Sequence, residues 1–418
     1  MSEFVTVSPN QAGALTGQRH GPALSLARRF LMHLACQVDH GQLLVSMPSG
    51  EMIHRAGPRP GPHAQLNLLR WRAIWRLLVG GDIGFAEAYM DGDWSTPDLT
   101  ALIELAALNH ATMMPSLNGS RVVRVLNRLL HLRRNNTKRR SRQNIQDHYD
   151  LGNPFYAAWL DPGMSYSSGF YARAETTLEQ AQQAKQDLVI DALALAGGER
   201  VLEIGFGWGG LATRLEREHG CHVTGLTLSP AQRKHAIETM APSCAPGSVD
   251  FLLRDYRDAD GQYDRIVSIE MLEAVGKDYW PTYFATIRAR LRPGGVAVLQ
   301  VITMAEDRYA AYERGADFIQ RYIFPGGMLP SDTAMRAHIA GADLILDDIK
   351  TFGPSYARTL ADWRSRFQRA WPRLTRMGFD EQFKRKWDYY LSYCEAGFRA
   401  KALDVGLYRF HRMEEAAR

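Results

Sequence analysis

The chain has 418 residues, 45% hydrophobic and 23% charged, with a net charge of +5. These proportions exclude a disordered or fibrous chain and fit a soluble globular protein too long for one typical domain, so two are expected. The mild basic excess, with a pI near 9.0, suits an anionic partner surface, either lipid or nucleic acid.

Residues 1–25 carry Gly, Ser, Pro and Gln and read as a flexible N-terminus. The polar stretch 1–21 argues against a signal peptide. No run of about 18 apolar residues occurs anywhere, so no membrane span is expected. A helix is predicted over 24–35. Residues 42–47 and 51–54 have the short, turn-bounded look of strands, and the Pro/Gly cluster 57–62 reads as a loop. Residues 66–79 and 85–90 read as helix pieces, and 99–108 as an amphipathic helix. Residues 26–130 are thus expected to form a small α+β domain. The stretch His131 to Arg142 holds six Lys or Arg. Residues 131–143 are the linker candidate, with two readings: a solvated charge run, or contact with anionic headgroups worth about 1 kcal/mol per basic residue. A catalytic domain is expected over 144–418. The four cysteines, Cys36, Cys221, Cys244 and Cys394, show no C-x-x-C pairing. Neither a disulfide framework nor a metal site is expected, and a reducing cytoplasm fits.

The most informative segment is Val201-Leu-Glu-Ile-Gly-Phe-Gly-Trp-Gly-Gly210. It reads as a buried strand followed by a glycine-rich turn. A helix over 179–194 precedes it. Strands are predicted at 221–226, 263–268 and 291–299, alternating with helices to about residue 302, the pattern of a doubly wound α/β sheet. Gly205, Gly207 and Gly210 satisfy G-x-G-x-x-G, so the glycines alone do not choose a cofactor. A dinucleotide site wants an acid at the end of the second strand. Here that strand runs into Thr227-Leu-Ser-Pro-Ala-Gln232 without one, and the acid sits earlier, at Glu203. This placement favours S-adenosylmethionine. Residues 306–330, with Tyr309, Tyr312, Phe318, Tyr322 and Phe324, read as a lid or substrate insert, and 360–410 as helical. Glu270 and Glu273 lie three apart. After a strand end, at least one carboxylate is expected to face the cofactor pocket, and Glu270 also reads as a structural hydrogen-bond acceptor.

His148–Asn153, Met164–Ser167, Gly205–Gly210, Thr227–Gln232, Asp255–Asp258, Arg321–Gly327, Tyr389–Arg399 and the N-terminal Gly81–Trp94 together resemble the cyclopropane-fatty-acid synthase and mycolic acid cyclopropane synthase family. The resemblance covers nearly the whole chain from about residue 40. It implies a class I S-adenosylmethionine methyltransferase fold with helical substrate insertions. It also implies a small α+β N-terminal domain for lipid binding and dimerisation, hence a homodimer. The implied reaction is methyl(ene) transfer to the cis double bond of an unsaturated phospholipid acyl chain, giving a cyclopropane. The implied partners are that phospholipid and an anionic membrane surface, with no nucleic acid, and the implied location is cytoplasmic, at the inner face of the membrane. By carry-over, Tyr166 and Ser167 contact the cofactor, alongside Glu203. Gly205, Gly207 and Gly209 cradle its methionine part; Thr227, Leu228 and Gln232 line the ribose and adenine side, and Asp255 and Tyr256 the adenine.

Methyl transfer to an alkene leaves a carbocation that must lose a proton. In this family a caged bicarbonate usually takes it. The resemblance places Glu273, Tyr356, Ser168 and Gln300 in that cage. Ser168 stands where Cys is frequent, Gln300 where His is frequent, and Ala274 where a His often follows the Glu. The altered cage leaves two alternatives open: bicarbonate held differently, or no bicarbonate. It also leaves open a methylene- or methyl-branched product. Cys394 matches a cysteine long regarded as active in the family, yet no base accompanies it in sequence and methyl transfer needs no covalent intermediate. A small-molecule or RNA methyltransferase and a non-catalytic lipid-binding relative are the remaining readings.

Overall fold

The computed structural model describes residues 22–117, 151–239 and 246–414; the basic stretch 131–143 lies outside the described residues. The chain forms two units.

Of the described residues, the first unit comprises 22–117 together with 315–318 and 378–400. Its sheet has strand order β2-β1-β3-β4, with β1 His40–Ser46, β2 Met52–Ala56, β3 Arg59–Leu68 and β4 Trp94–Ser95. Along β1, buried Gly41, Leu43 and Val45 alternate with half-buried residues, the period of a strand with one face covered. The expected loop at 57–62 and the helix start at 66 are corrected here, because β3 runs through both. Pro60 and Pro62 are tolerated because β4 reaches only Asn67 and Leu68, and pairing with β1 is irregular between His40 and Gln42. The two helix pieces join into one helix, Arg72–Met90, interrupted at Gly81. Helix Glu381–Arg399, expected in the catalytic domain, belongs to this first unit instead. It is tied in by Thr100 Oγ1 donating to buried Glu395 at 3.0 Å and by the Phe318–Tyr389 ring pair at 4.7 Å.

The second unit is built on a seven-stranded sheet of order β10-β11-β9-β8-β5-β6-β7. The strands are β5 Arg200–Ile204, β6 His222–Thr227, β7 Ser248–Leu253, β8 Tyr263–Ile269, β9 Leu291–Met304, β10 Leu344–Thr351 and β11 Leu403–Arg412. Strands β5 to β9 pair in parallel, and β11 runs antiparallel to both β9 and β10. This is the expected α/β plan. The expected helix through 410 is corrected: its last part is strand β11. Residues 295–301 of β9 are buried without alternation, so both faces of that strand are covered. The chain winds from β5 outward to β7, then returns to place β8 on the other side of β5. The crevice at the carboxyl ends of β5 and β8 is therefore the topological switch point, where α/β sheets bind ligands.

Candidate functional site

The turn after β5 carries Gly205, Gly207 and Gly209, all with left-handed φ of +85°, +55° and +90°. A Cβ on Gly207 would meet nothing within 4 Å, whereas one on Gly209 would lie 2.9 Å from the Phe251 ring and 3.0 Å from Ala236. Gly209 is thus required by packing and Gly207 leaves an open cradle above the turn. Glu203, at the end of β5, is 2% exposed, and its Oε2 has no hydrogen-bond partner. Burial pushes its carboxyl up to about 7, opposed by Lys185 and by the Ala212 N–H. After β6, Thr227 and Gln232 are both buried and joined by a 2.9 Å hydrogen bond, so Gln232 is not a surface helix residue. Leu228 sits half-buried between them. Asp255 is clamped by Arg257 through two hydrogen bonds of 2.8 and 2.6 Å, with Tyr256 buried beside it. A glycine cradle, a buried acid with one oxygen unpartnered among the described residues and a polar second turn fit the donor's amino acid and nucleoside parts.

Across the crevice, Tyr166 packs among Tyr156, Trp159 and Trp363 at 5.3 to 5.6 Å between ring centroids, with Phe324 at 6.5 Å. Ser167 Oγ accepts from buried Lys185 Nζ at 2.9 Å. Lys185 is a candidate site residue that the motifs did not reveal. Its signal was a charge on the buried stripe Leu178, Ala181, Lys185, Val189 of helix Leu178–Leu193. Burial lowers its proton affinity, and the carboxylates of Glu270, Asp161 and Glu203 oppose that.

The two glutamates after β8 separate sharply. Glu270 Oε1 accepts from Ser168 N–H at 2.9 Å and Gln300 Nε2 at 2.7 Å, and Oε2 accepts from Tyr356 OH at 2.6 Å. Glu273 Oε1 accepts the Ile302 N–H at 2.6 Å, and among the described residues its buried Oε2 has no partner. Burial, reinforced by the neighbouring Glu270 charge, pushes the Glu273 carboxyl up to about 8. Burial also pushes Glu270 up, against its three donors and Lys185.

The expected cage is therefore corrected. Ser168, Gln300 and Tyr356 come together, but around Glu270 and not Glu273. Ser168 contributes its backbone N–H, while its hydroxyl donates to Gly169 O at 2.9 Å. Free bicarbonate does not fit these donors, because the Glu270 carboxylate already takes them. Cys394 is not among these residues. It lies on the first unit's helix 381–399, where burial and the Asp317 carboxylate raise its thiol well above the ordinary range, the opposite of an activated thiolate. Among the insert aromatics, Phe318 belongs to the first unit, and the Tyr312 hydroxyl accepts from Gln320 and from the Leu329 N–H.

The sequence model of the mycolic acid cyclopropane synthetase family matches residues 136–408. The tuberculostearic acid methyltransferase UfaA1 of Mycobacterium tuberculosis is 41% identical over 335 residues, 78% of each chain. The cyclopropane-fatty-acyl-phospholipid synthase of Escherichia coli is 36% identical over 346 residues, 81% of this chain and 85% of that one. The solved mycolic acid cyclopropane synthase CmaA1, complexed with SAH and CTAB, superimposes with a TM-score of 0.61 at 31% identity, covering 65% of this chain and 98% of that one.

Proposed function

Because this chain belongs to the mycolic acid cyclopropane synthetase family, and so is an S-adenosylmethionine-dependent methyltransferase, we propose that it alkylates the cis double bond of unsaturated phospholipid acyl chains and forms a cyclopropane. The cofactor supplies an electrophilic methyl group. The chain's own work is to align a weakly nucleophilic alkene with that methyl, exclude water, and remove a proton afterwards. The rings of Tyr156, Trp159, Tyr166 and Trp363 offer faces that tolerate a passing cation. The observation that carries the reading is the buried carboxylate pair Glu270 and Glu273 at the switch-point crevice, beside the glycine cradle and these rings. The E. coli alignment supports a phospholipid substrate: at 346 residues it is longer than the stretch from 136 to the chain's end, so it reaches into the N-terminal part.

A second reading, a methylene- or methyl-branched chain, is favoured by the 41% identity to the tuberculostearic acid methyltransferase. It differs in a hydride shift that moves the cation onto the methyl-bearing carbon before the transferred carbon gives up its proton, and a saturated methyl branch also needs a reductant. On either reading the protein works as a peripheral enzyme at the anionic inner face of the membrane, as a homodimer. Among the described residues no helix is long and apolar enough to cross a membrane. Mass spectrometry of total fatty acids, with and without expression, tests the proposal. Monounsaturated chains are expected to fall as products about 14 mass units heavier rise, the increment of one CH₂ group, or about 16 for a saturated methyl branch, which also gains two hydrogens. Fragmentation then separates ring from branch, and unchanged lipids refute both.

A further inference from the structure

We infer that Glu270 is the general base of this reaction, a protein carboxylate built into the place of a free anion, so that turnover requires no bicarbonate. Three observations converge. The donors Ser168 N–H, Gln300 Nε2 and Tyr356 OH all end on one side chain, at 2.9, 2.7 and 2.6 Å. They come from three separate elements: the loop after Asp161, β9, and helix Gly353–Arg376. The second observation is the backbone. Glu270 has φ +48°, a left-handed conformation that costs a non-glycine residue energy and persists only where the surroundings impose it. A residue kept there against its own preference, immediately after a parallel strand at the switch point, is positioned for its side chain. The third is the division of labour between the two carboxyls. Glu270 has three donors from distant elements and faces the Lys185 ammonium, whereas Glu273 has the Ile302 N–H as its one donor from a distant element and, among the described residues, an oxygen without a partner. A single proton shared by the pair therefore sits on Glu273, leaving Glu270 as the anion. Glu273 is then a neutral neighbour that keeps the second negative charge out of the pocket.

In the step this assigns, the alkene π pair forms a C–C bond to the donor methyl as the S–C bond breaks, leaving a carbocation on the chain. Glu270 takes a proton from the transferred carbon, forming an O–H bond, and the released C–H pair closes the ring. The products are the cyclopropane, S-adenosylhomocysteine and a protonated Glu270, which returns its proton to solvent. For the methylene-branched product, a hydride first shifts from the methyl-bearing carbon to the cationic one, and the same carboxylate takes the proton from the transferred carbon, whose C–H pair becomes the C=C bond of the methylene branch.

The inference rests on the alkene reading, and its test has an arm that does not. Binding of ¹³C-bicarbonate to the full-length protein is followed by NMR. Wild type is expected to show none, whereas Glu270→Gly, unstrained at this φ, frees three donors and binds it. In the second arm, S-adenosylhomocysteine release from unsaturated phospholipid vesicles is measured in CO₂-free buffer. Wild type is expected to turn over equally with and without added bicarbonate. Glu270→Gly is expected to fall at least about 100-fold and to recover with bicarbonate. Glu270→Gln, which keeps the side-chain volume and serves if the glycine variant does not fold, is expected to fall as far and not recover. Bicarbonate binding or a bicarbonate requirement in wild type overturns the inference. So does full turnover in either variant, or a folded Glu270→Gly that neither binds bicarbonate nor is rescued by it. Absence of any wild-type release from lipid refutes the alkene reading instead, and the binding arm still decides whether Glu270 holds the anion's place.

Discussion

Alanine at Gly207 and at Gly209 separates cofactor binding from folding within a single turn. At Gly209 the backbone has φ +90° and an added Cβ lies 2.9 Å from the Phe251 ring and 3.0 Å from Ala236. The left-handed conformation costs about 1–2 kcal/mol and the overpacking about 1–3 kcal/mol. At roughly 2–4 °C per kcal/mol for a unit of this size, Gly209→Ala is expected to lower the melting temperature by about 4–20 °C. At Gly207 the Cβ meets nothing among the described residues, so only the conformational cost remains, about 2–8 °C by the same conversion. That open space is where the cofactor's amino acid part is proposed to lie. Intruding on it by about 1–3 kcal/mol weakens S-adenosylhomocysteine binding roughly 5- to 150-fold. Thermal melts without ligand, paired with calorimetric titration of S-adenosylhomocysteine, measure both effects. Wild-type affinity in Gly207→Ala, or an unshifted melt in Gly209→Ala, refutes this account of the cradle.

Two further expectations follow from charge. Burial pushes the Glu273 carboxyl up to about 8, while an unfolded glutamate releases its proton near 4.5. The folded state binds the extra proton between those values, so its stabilisation is complete below pH 4.5 and is lost as pH rises through 8. The loss between pH 5 and 8 is on the order of 3 kcal/mol. Chemical unfolding at the two pH values is expected to show a smaller fall in Glu273→Gln than in wild type, with the contribution of Glu203 common to both; equal falls refute a buried neutral acid. Neutralising the six basic residues of 131–142 is expected to weaken binding to anionic vesicles and flatten its salt dependence. Unchanged vesicle binding in a sedimentation assay returns that stretch to a plain linker.

The nucleotide half of the molecule was legible in the sequence because its signals are local. The apolar run ending in Glu203, the glycine turn after it, and the strands at 222–227, 263–269 and 291–304 each announce themselves within about ten residues, the scale on which hydrophobic period and turn chemistry act. Where a strand's identity depended on a distant partner, local reading failed. The Pro-rich start of β3 looks like a loop until β1 lies beside it. Residues 403–412 continue a helical stretch in pattern and become strand β11 only because β9 and β10 leave a place between them. Lys185 is an ordinary helix lysine by position, and only the carboxylates packed over it make it part of the site.

The sequence by itself determined the fold class, the cofactor and the presence of two carboxyls after β8. Only the tertiary structure decided which of the two collects the donors that stabilise an anion. Glu270 and Glu273 are three residues apart in one short string, and no local property distinguishes them. Their difference comes from the Ser168 backbone, Gln300 and Tyr356, brought from positions 102, 30 and 86 residues away in the chain. A buried carboxylate takes its charge state from the donors that surround it, and those donors assemble only when the chain has folded.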